Sequence, residues 1–529
     1  MKIHWVIYVL VLLICILTLF PKQAGYVMSD DCLHWFTGVL LLLLLIIYSI
    51  FHSYISRMNS VRIIVGCMSI VLFCCALLSI YGILQYVQII PLNSRAGVSG
   101  GFNNPIGYAA SLCMGIPAAL LLTCYYHLKK KSYFILLVVL VIICIGIIIS
   151  GSRTSILCMM VLFIIHYCFD KKNRLNFKRL RWFGGCLPII LIILYSCKQA
   201  SADGRFFIWR CSLEMINDKP LLGYGSGGFL ANYMNYQADY FLHHPKSECV
   251  MLADDVQHPF NEYILLLINY GIVGFVLLLV LIYLLWKACK LHPSSLNKSS
   301  FGCLAGIAVL SCFSYPLSYP FVWIAGGGSC CILISSADWV RHLSNSWKRN
   351  IRFFIIIYSS MSIAFCIWKI EILQEWYQVS QTSLEEQTSE TFYKFETLYP
   401  YLKNNRLFLY NYAAELNYGA FYEKSLEIAS RCNLYWSDYQ LQLLMGDNCI
   451  NLLRYEEAEK HFKKAYNMCP VRFIPLYRLH YIYKKQRNEE TADSLARLII
   501  DKPVKVNSTI IRKIKREMSS LCSDICNDF

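Results

Sequence analysis

Long apolar runs fill the first 370 residues of the chain, and short polar stretches separate them. A helix needs about 17–25 apolar residues to cross a bilayer. We predict eleven spans, at 4–20, 33–53, 63–85, 105–126, 133–150, 153–169, 182–197, 260–286, 301–316, 320–340 and 351–370. The pattern predicts an all-α fold that begins with a polytopic transmembrane helical bundle over residues 1–370.

The pattern changes after Glu371, where the long runs stop and apolar residues recur with helical spacing among charged ones. Small, aromatic and proline residues take the positions of a tetratricopeptide repeat of about 34 residues, namely Gly446, Ala458, Phe462, Ala465 and Pro470. Partial copies stand about one repeat earlier and later, at Ser425, Ala429, Cys432, Ala492 and Ala496. Residues 371–529 are therefore predicted to form an α-solenoid of two or three repeats. Such a domain either binds a peptide or protein partner or packs as a cap on the bundle.

The charge distribution predicts the orientation of the bundle. The chain is 57% hydrophobic and only 16% charged, which excludes a chain built of soluble domains alone. Its net charge is +16, but Lys and Arg cluster in short loops between apolar runs, so we expect contact with membrane lipids and no nucleic-acid partner. The positive-inside rule then places the N-terminus in the cytoplasm. It places the long loop 198–257 and the domain 371–529 on the outer side.

Cysteine spacing gives no metal site. Most of the 25 cysteines lie inside apolar runs, where Cys behaves as a small hydrophobic residue, and no CxxC pair stands out. The pairs His243, His244 and Asp254, Asp255 are adjacent rather than at ligand spacing, so a metal site near residue 258 is a minor alternative. Whether Cys211 and Cys249 of the outer loop form a disulfide is left open by the sequence, although an outer compartment permits one.

Charged residues beside the spans are the candidates for chemistry, because a charge at the membrane is costly. Arg153 stands at the apex of a tight turn, Ser150–Ser155, between two spans, and its alternative role is a snorkelling anchor. Arg205 and Arg210 flank the apolar face of a predicted amphipathic helix that ends before Pro220. These two arginines are equally explained as basic anchors.

Two further segments complete the candidates. Gly223–Gly228 formally matches GxGxxG, but no strand precedes it, so we expect a flexible turn or amides that face an anion rather than a dinucleotide site. His258 opens the eighth span from the outer side, where an imidazole can accept a proton from a hydroxyl group. A helix-start or interface residue is the alternative for His258.

Three stretches resemble the O-antigen ligase and polymerase superfamily of bacterial envelope glycosyltransferases, over roughly residues 60–340. They are Gly204-Arg205 through Trp209 with Asp218–Gly225, Phe229 and Tyr233; His258, Asn261 and Glu262 with Tyr270–Gly274; and Ser150–Arg153. Asn103-Asn104-Pro105 also looks like the Asn-Pro-Asn element of that family, but Ile106 replaces the second Asn.

The resemblance implies a glycan donor linked to undecaprenyl diphosphate and a site outside the bacterial cytoplasmic membrane. Arg153 and Arg205 match the essential arginines of the family and His258 matches its essential histidine. Arg forks suit diphosphate oxygens, and the implied reaction is inverting and needs no metal or cofactor. Secondary candidates for substrate binding are Arg210, Asn261, Glu262, which would orient His258 through a hydrogen bond, and Arg95.

The acceptor is open. A lipid A-core ligase is the leading hypothesis, followed closely by a protein O-oligosaccharyltransferase, for which the repeats would hold the acceptor protein, and then by an O-antigen polymerase. A non-catalytic scaffold or a transporter is the alternative of a different class, but transporters carry internal repeats among their spans, and none is evident here.

Overall fold

The computed structural model describes residues 3–21, 30–51, 60–92, 97–126, 129–169, 199–337, 344–385 and 389–527, together with residues 178, 181, 196 and 342. These residues form helices joined by turns, in two compact units. The first unit comprises Met1–Ser196, Phe260–Tyr263 and Val276–Tyr377. The second comprises Cys197–Pro259, Ile264–Phe275 and Gln378–Phe529.

Apolar helices make up the first unit and mark a multi-pass membrane protein. In chain order they are α1 (Ile3–Leu19), α2 (Asp30–Ile50), α3 (Ser60–Tyr86), α4 (Pro105–Tyr126), α5 (Lys130–Ile149) and α6 (Arg153–Cys168). Two helices of the second unit follow, α7 (Gln199–Asp218) and α8 (Gly228–His243). The apolar series resumes with α9 (Glu262–Leu291), α10 (Ser295–Phe313), α11 (Pro320–Ser336) and α12 (Asn345–Glu385).

Seven of the described helices are long and apolar enough to cross a membrane, namely α2, α3, α4, α5, α9, α10 and α12. Helices α1, α6 and α11 are apolar but shorter. The predicted span at 182–197 lies, apart from Ser196, outside the described residues. The total of eleven spans therefore stays a prediction.

Helix α4 lies at the centre of the first unit. Most of its residues are buried, among them Tyr108, Leu112 and Ile116. Small residues on the neighbouring helices allow this close packing, because a Cβ atom at Gly82 of α3 or at Gly146 of α5 would overlap side chains, including that of Tyr108. The core thus depends on shape complementarity between large and small side chains.

The second unit combines α7 and α8 with the C-terminal helices. These are α13 (Ser389–Leu402), α14 (Arg406–Tyr418), α15 (Tyr422–Asn433), α16 (Tyr439–Asn451), α17 (Tyr455–Met468), α18 (Ile474–Lys485), α19 (Glu489–Asp501) and α20 (Thr509–Asn527). From α14 to α20 each helix packs on the next. Helices α15, α17 and α19 begin 33 and 34 residues apart, which is the spacing of the residue pattern.

The repeat-matched residues are core residues. Ala458, Phe462 and Ala465 are fully buried, and a Cβ atom at Gly446 would overlap the Phe462 ring. A small residue at this position lets α16 and α17 approach closely. Helix α17 ends at Met468, just before Pro470, as the sequence predicts. The assignment to the tetratricopeptide class stays a prediction.

The grouping differs from the predicted division at residue 370. Helix α12 continues unbroken to Glu385, and residues 199–259 pack with the C-terminal helices rather than forming a loop of the bundle. Hydrogen bonds join residues 199–259 to the C-terminal helices within the second unit. Gln237 Nε2 donates to the Met468 carbonyl at 2.6 Å, and the Ser437 N–H donates to the Leu230 carbonyl at 2.9 Å.

Candidate functional site

Helix α7 carries Arg205 and holds the segment that contains His258. The indole Nε1 of Trp209 donates to the carbonyl oxygen of Pro259 at 2.8 Å. Arg205 precedes Trp209 by four residues, so both side chains lie on the same face of α7. The structure thereby places Arg205 on the face of α7 that meets the His258-Pro259 peptide.

His258 itself lies beside a cation from the C-terminal helices. Burial lowers the pKa of its imidazole, and the guanidinium of Arg406 lowers that pKa further. Arg406 Nη1 donates to Gln257 Oε1 at 3.0 Å, and the guanidinium lies 5.1 Å from the centroid of the Trp436 ring. The imidazole is therefore uncharged at neutral pH, which is the form that accepts a proton.

The residues just before His258 are also bound by the C-terminal helices. Arg472 Nη2 pairs with Asp254 Oδ1 at 2.7 Å, and Lys505 Nζ donates to the Ala253 carbonyl at 3.3 Å. Gln237 of α8 donates to the Asp254 carbonyl at 3.0 Å. Residues 253–259, which we call the histidine segment, are thus fixed by side chains that are remote in sequence.

A carboxyl pair forms part of this contact. Asp438 is 1% exposed and caps α16, because its Oδ1 accepts from the N–H groups of Gln440 and Leu441 at 2.7 and 3.1 Å. Its Oδ2 is buried and has no hydrogen-bond donor among the described residues. Burial and the neighbouring Asp255 raise the pKa of Asp438 to about 7, and burial raises the pKa of Asp255 as well. Asp438 is therefore largely protonated below neutral pH, and in that form its carboxyl group can donate to Asp255.

The glycine-rich segment has a structural role. Helix α9 breaks at Gly271, whose φ is 63°, and the segment 220–225 lies against the break. Main-chain hydrogen bonds join them, from Ile272 N–H to Pro220 O (2.8 Å), Val273 N–H to Leu221 O (3.2 Å), Tyr224 N–H to Ile268 O (2.9 Å) and Gly225 N–H to Asn269 O (2.8 Å). The amides of Tyr224 and Gly225 thus donate to carbonyl groups and do not face an anion.

Arg153 lies in the first unit, in the predicted turn between α5 and α6. Gly151 has a φ of 64°, which closes the turn. Ser150 Oγ accepts from the Ser152 N–H at 3.1 Å, and the hydroxyl groups of Ser152 and Ser155 are 2.9 Å apart. These bonds hold the backbone that presents the half-buried Arg153 side chain at the start of α6.

The residues that follow the histidine segment, Phe260–Tyr263, belong to the first unit and form hydrogen bonds within it. Asn261 Nδ2 donates to the Cys312 carbonyl at 3.0 Å, while its Oδ1 caps α9 by accepting from the Tyr263 N–H at 2.9 Å. Glu262 Oε1 accepts from the Leu317 N–H at 3.1 Å. Its role in orienting His258 stays a prediction.

An aromatic cluster lies beside this turn. Phe260 has a φ of 53°, which is rare for a non-glycine residue and typical of functional sites. Its ring packs edge-on against Tyr315 at 5.4 Å, and Tyr315 stacks on Tyr319. Asn104 bonds both hydroxyl groups, at 3.3 and 3.0 Å. The Asn-Pro element and the residue after Pro259 thus belong to one cluster, which the sequence did not indicate.

The remaining candidates differ in their surroundings. Arg210 is exposed, and its guanidinium lies over the Tyr240 ring at 4.9 Å and donates to the Tyr240 hydroxyl at 3.4 Å. Arg95 lies outside the described residues. Cys211 and Cys249 are free thiols in the structure. Over the described part of the chain, no group of three or more His, Cys, Asp or Glu side chains is arranged to hold a metal ion.

Comparison with known proteins identifies the stretch that carries most of these residues. Residues 137–279 match the family model described as O-Antigen ligase. The match supports the resemblance to the O-antigen ligase superfamily over this stretch, which is about a quarter of the chain. The chain is 27% identical over 134 residues to a "Putative polysaccharide ligase" of Rickettsia felis, and 29% identical over 136 residues to a protein of the same description from Rickettsia conorii. Each match covers 25% of this chain and 31% of the relative's length.

The matched O-antigen ligase stretch includes Arg153, Arg205, Arg210, His258, Asn261 and Glu262. Arg205, Arg210 and His258 belong to the second unit, whereas Arg153, Asn261 and Glu262 belong to the first. Arg406 lies outside the match, and sequence reasoning missed it. Its only sequence signal was its place at the start of a helix, which does not reveal a distant partner.

Proposed function

We propose that this protein is an O-antigen ligase-like glycosyltransferase of the bacterial cytoplasmic membrane. It moves a glycan from undecaprenyl diphosphate to an acceptor hydroxyl on the outer side, and the leading acceptor is a lipid A-core sugar. One observation carries the assignment of roles: the uncharged, half-buried His258 lies in a segment bonded to the same face of α7 that presents Arg205. A base and a cation on one side of a helix suit transfer from a diphosphate.

The proposed step is a single displacement. The acceptor oxygen attacks the anomeric carbon while His258 accepts the hydroxyl proton. The bond from that carbon to the diphosphate oxygen breaks, and undecaprenyl diphosphate leaves with the electron pair. Attack opposite the leaving group inverts the anomeric centre. The resemblance assigns stabilisation of the charge that develops on the diphosphate to Arg205 and to Arg153. His258 later releases its proton to water.

The test is a transfer assay with purified protein and an undecaprenyl-diphosphate glycan, offered in parallel to rough lipopolysaccharide, to a periplasmic protein extract and to no acceptor. Labelled lipopolysaccharide supports the ligase. Labelled protein supports the protein O-oligosaccharyltransferase, with the C-terminal helices as acceptor site, and a longer carrier-linked glycan supports the polymerase. Absence of any transfer contradicts the proposal and favours the scaffold or transporter.

His258→Ala is expected to lower the transfer rate about 100- to 10,000-fold, because it removes the base. His243→Ala is the matched control. His243 is a second histidine of the same unit, 65% exposed and bonded to the Asp239 carbonyl, and its loss is expected to leave the rate unchanged. Equal activity of the two variants contradicts the assigned role of His258.

A further inference from the structure

The C-terminal helices contact the histidine segment through charged side chains. Arg406, the first residue of α14, is 149 positions from Gln257 in the sequence, yet it donates to the Gln257 side chain at 3.0 Å. The backbone of Arg406 is also fixed, because its carbonyl accepts from Cys432 Sγ at 3.3 Å. Arg406 is therefore fixed both at its backbone and at its guanidinium, next to the candidate base His258.

The flat face of the guanidinium is fixed by stacking. It lies over the Trp436 ring, and that ring packs edge-on against Tyr410 with centroids 5.6 Å apart. A planar guanidinium loses little conformational freedom in such a stack and still donates hydrogen bonds along its edge. Lysine would supply the charge but neither the stack nor the fork.

We propose that Arg406 is a positioning residue for His258, and that the C-terminal helices thereby complete the transfer site rather than only docking an acceptor. The proposal rests on the proposed function of His258 as the base. Arg406 acts in two ways: it fixes Gln257, the residue before His258, and its positive charge keeps the imidazole in the proton-accepting form.

Other charged groups surround the same segment. Asp254 and Asp255 lie on it, and Arg205 comes from α7. Asp438 at the start of α16 and Arg472 and Lys505 in loops between the C-terminal helices complete the set. Asp254 is paired with Arg472, and Asp255 lies next to Asp438, whose pKa burial and Asp255 raise to about 7. Substitution of Arg406 leaves these groups in place, so a change at His258 reports the loss of one cation.

Arg406→Gln and Arg406→Lys are compared with Arg431→Gln in the full-length protein. Arg431 is the matched control: it also lies over an aromatic ring, Tyr399 at 5.9 Å, and donates to the Lys403 carbonyl at 2.9 Å, away from the histidine segment. We expect Arg406→Gln to lower kcat about tenfold or more, with KM for the acceptor within about twofold, because the base is misplaced and not the acceptor. Arg406→Lys is expected to recover part of kcat.

The second readout does not depend on activity. Diethyl pyrocarbonate reacts with uncharged imidazole, and mass spectrometry of the peptide that contains His258 gives the modification rate at each pH. The midpoint is expected below pH 6.5 in the wild type and in Arg431→Gln. In Arg406→Gln it should rise by about half a unit or more, since a nearby cation is lost, whereas Arg406→Lys should stay close to the wild type.

The two readouts separate the proposals. If Arg406→Gln matches Arg431→Gln in both kcat and midpoint, the positioning role is wrong while the function of His258 stands. If His258→Ala transfers glycan as fast as the wild type, the proposed function is wrong, and the labelling midpoint still decides whether Arg406 controls the state of His258. A variant with a wild-type thermal unfolding profile is required for each comparison, and Arg406→Lys serves where the glutamine variant does not fold.

Discussion

Two neighbouring stretches of the region that matches the O-antigen ligase family model differ in the contacts that fix them. The histidine segment, residues 253–259, is bound by side chains from distant parts of the chain: Trp209, Arg406, Arg472 and Lys505. Residues 260–275 are bound mainly to main-chain groups, at Ala308, Cys312, Leu317, Pro220 and Leu221.

The difference separates residues with a proposed catalytic role from residues with a structural role within one stretch of sequence. Charged and aromatic partners bind Gln257 and Pro259 on either side of His258, and the Arg406 guanidinium lowers the pKa of its imidazole. Main-chain partners instead satisfy the polar side chains of Asn261, Glu262 and Tyr263 and the break in α9. The resemblance groups these residues together, whereas their contacts predict that His258 is needed for transfer and that Asn261 and Gly271 are needed for the fold.

The largest stability effect is expected at Gly271. A Cβ atom there would overlap the Leu221 carbonyl, and the φ of 63° disfavours any side chain. Gly271→Ala is therefore expected to lower Tm in detergent by roughly 5 °C or more. Gly204→Ala is the control, because Gly204 lies inside helix α7 and a Cβ atom would meet nothing within 4 Å. It is expected to raise Tm slightly. Similar Tm values for the two variants would contradict the structural role of the break.

The break in α9 also shows where sequence reasoning stops. Hydropathy predicted a helix from 260 to 286. The glycine-rich residues Gly223–Gly228 stood out as a separate motif with no visible relation to that helix. The backbone hydrogen bonds that join these segments connect residues 44 or 52 positions apart, and nothing in the local pattern indicates such a pairing. The apolar helices, the turn at Arg153 and the end of α7 before Pro220 were predictable because they depend on local periodicity and on Gly and Pro.

The candidate site was predictable only in part for the same reason. His258 and Arg205 stand out as polar residues beside apolar runs, and the family motif supports them. Arg406 and Asp438 occur in an amphipathic helical region where charged residues are ordinary surface residues. Their roles follow only from tertiary packing, which one sequence does not reveal.

An intermediate loss of stability is expected at Asn261. Asn261→Ala removes the cap of α9 and the bond to the Cys312 carbonyl, so the free energy of unfolding should fall by about 1–2 kcal/mol. The folded Asn261→Ala protein is expected to retain a transfer rate within a few-fold of the wild type, unlike His258→Ala. Asn261→Asp keeps the cap but loses the donor to Cys312, so it should recover only the part of the stability that the cap contributes. An Asn261→Ala protein with wild-type stability and no activity would instead assign Asn261 to substrate binding, as the resemblance implies.

The smallest effect is expected at the carboxyl pair. The pKa of Asp438 in the folded protein is raised to about 7, so its contribution to stability is full below the ordinary Asp pKa near 4 and is lost as pH rises through about 7. Asn caps a helix as well as Asp does. Its side-chain N–H can donate to Asp255 at any pH, whereas the Asp438 carboxyl group can donate only when it is protonated. Asp438→Asn should therefore stabilise the fold by about 1 kcal/mol at pH 8 and by little at pH 5.

The control for this substitution has the opposite sign. Asp447 pairs with Arg478, with Nε and Oδ1 3.0 Å apart. Asp447→Asn breaks that pair and should lower Tm at pH 8, whereas Asp438→Asn should raise it. Thermal unfolding of both variants at pH 5 and pH 8 makes the measurement. If Asp438→Asn lowers Tm at pH 8, the raised pKa of Asp438 does not limit stability at that pH, and the histidine segment is held by its ion pairs and hydrogen bonds alone.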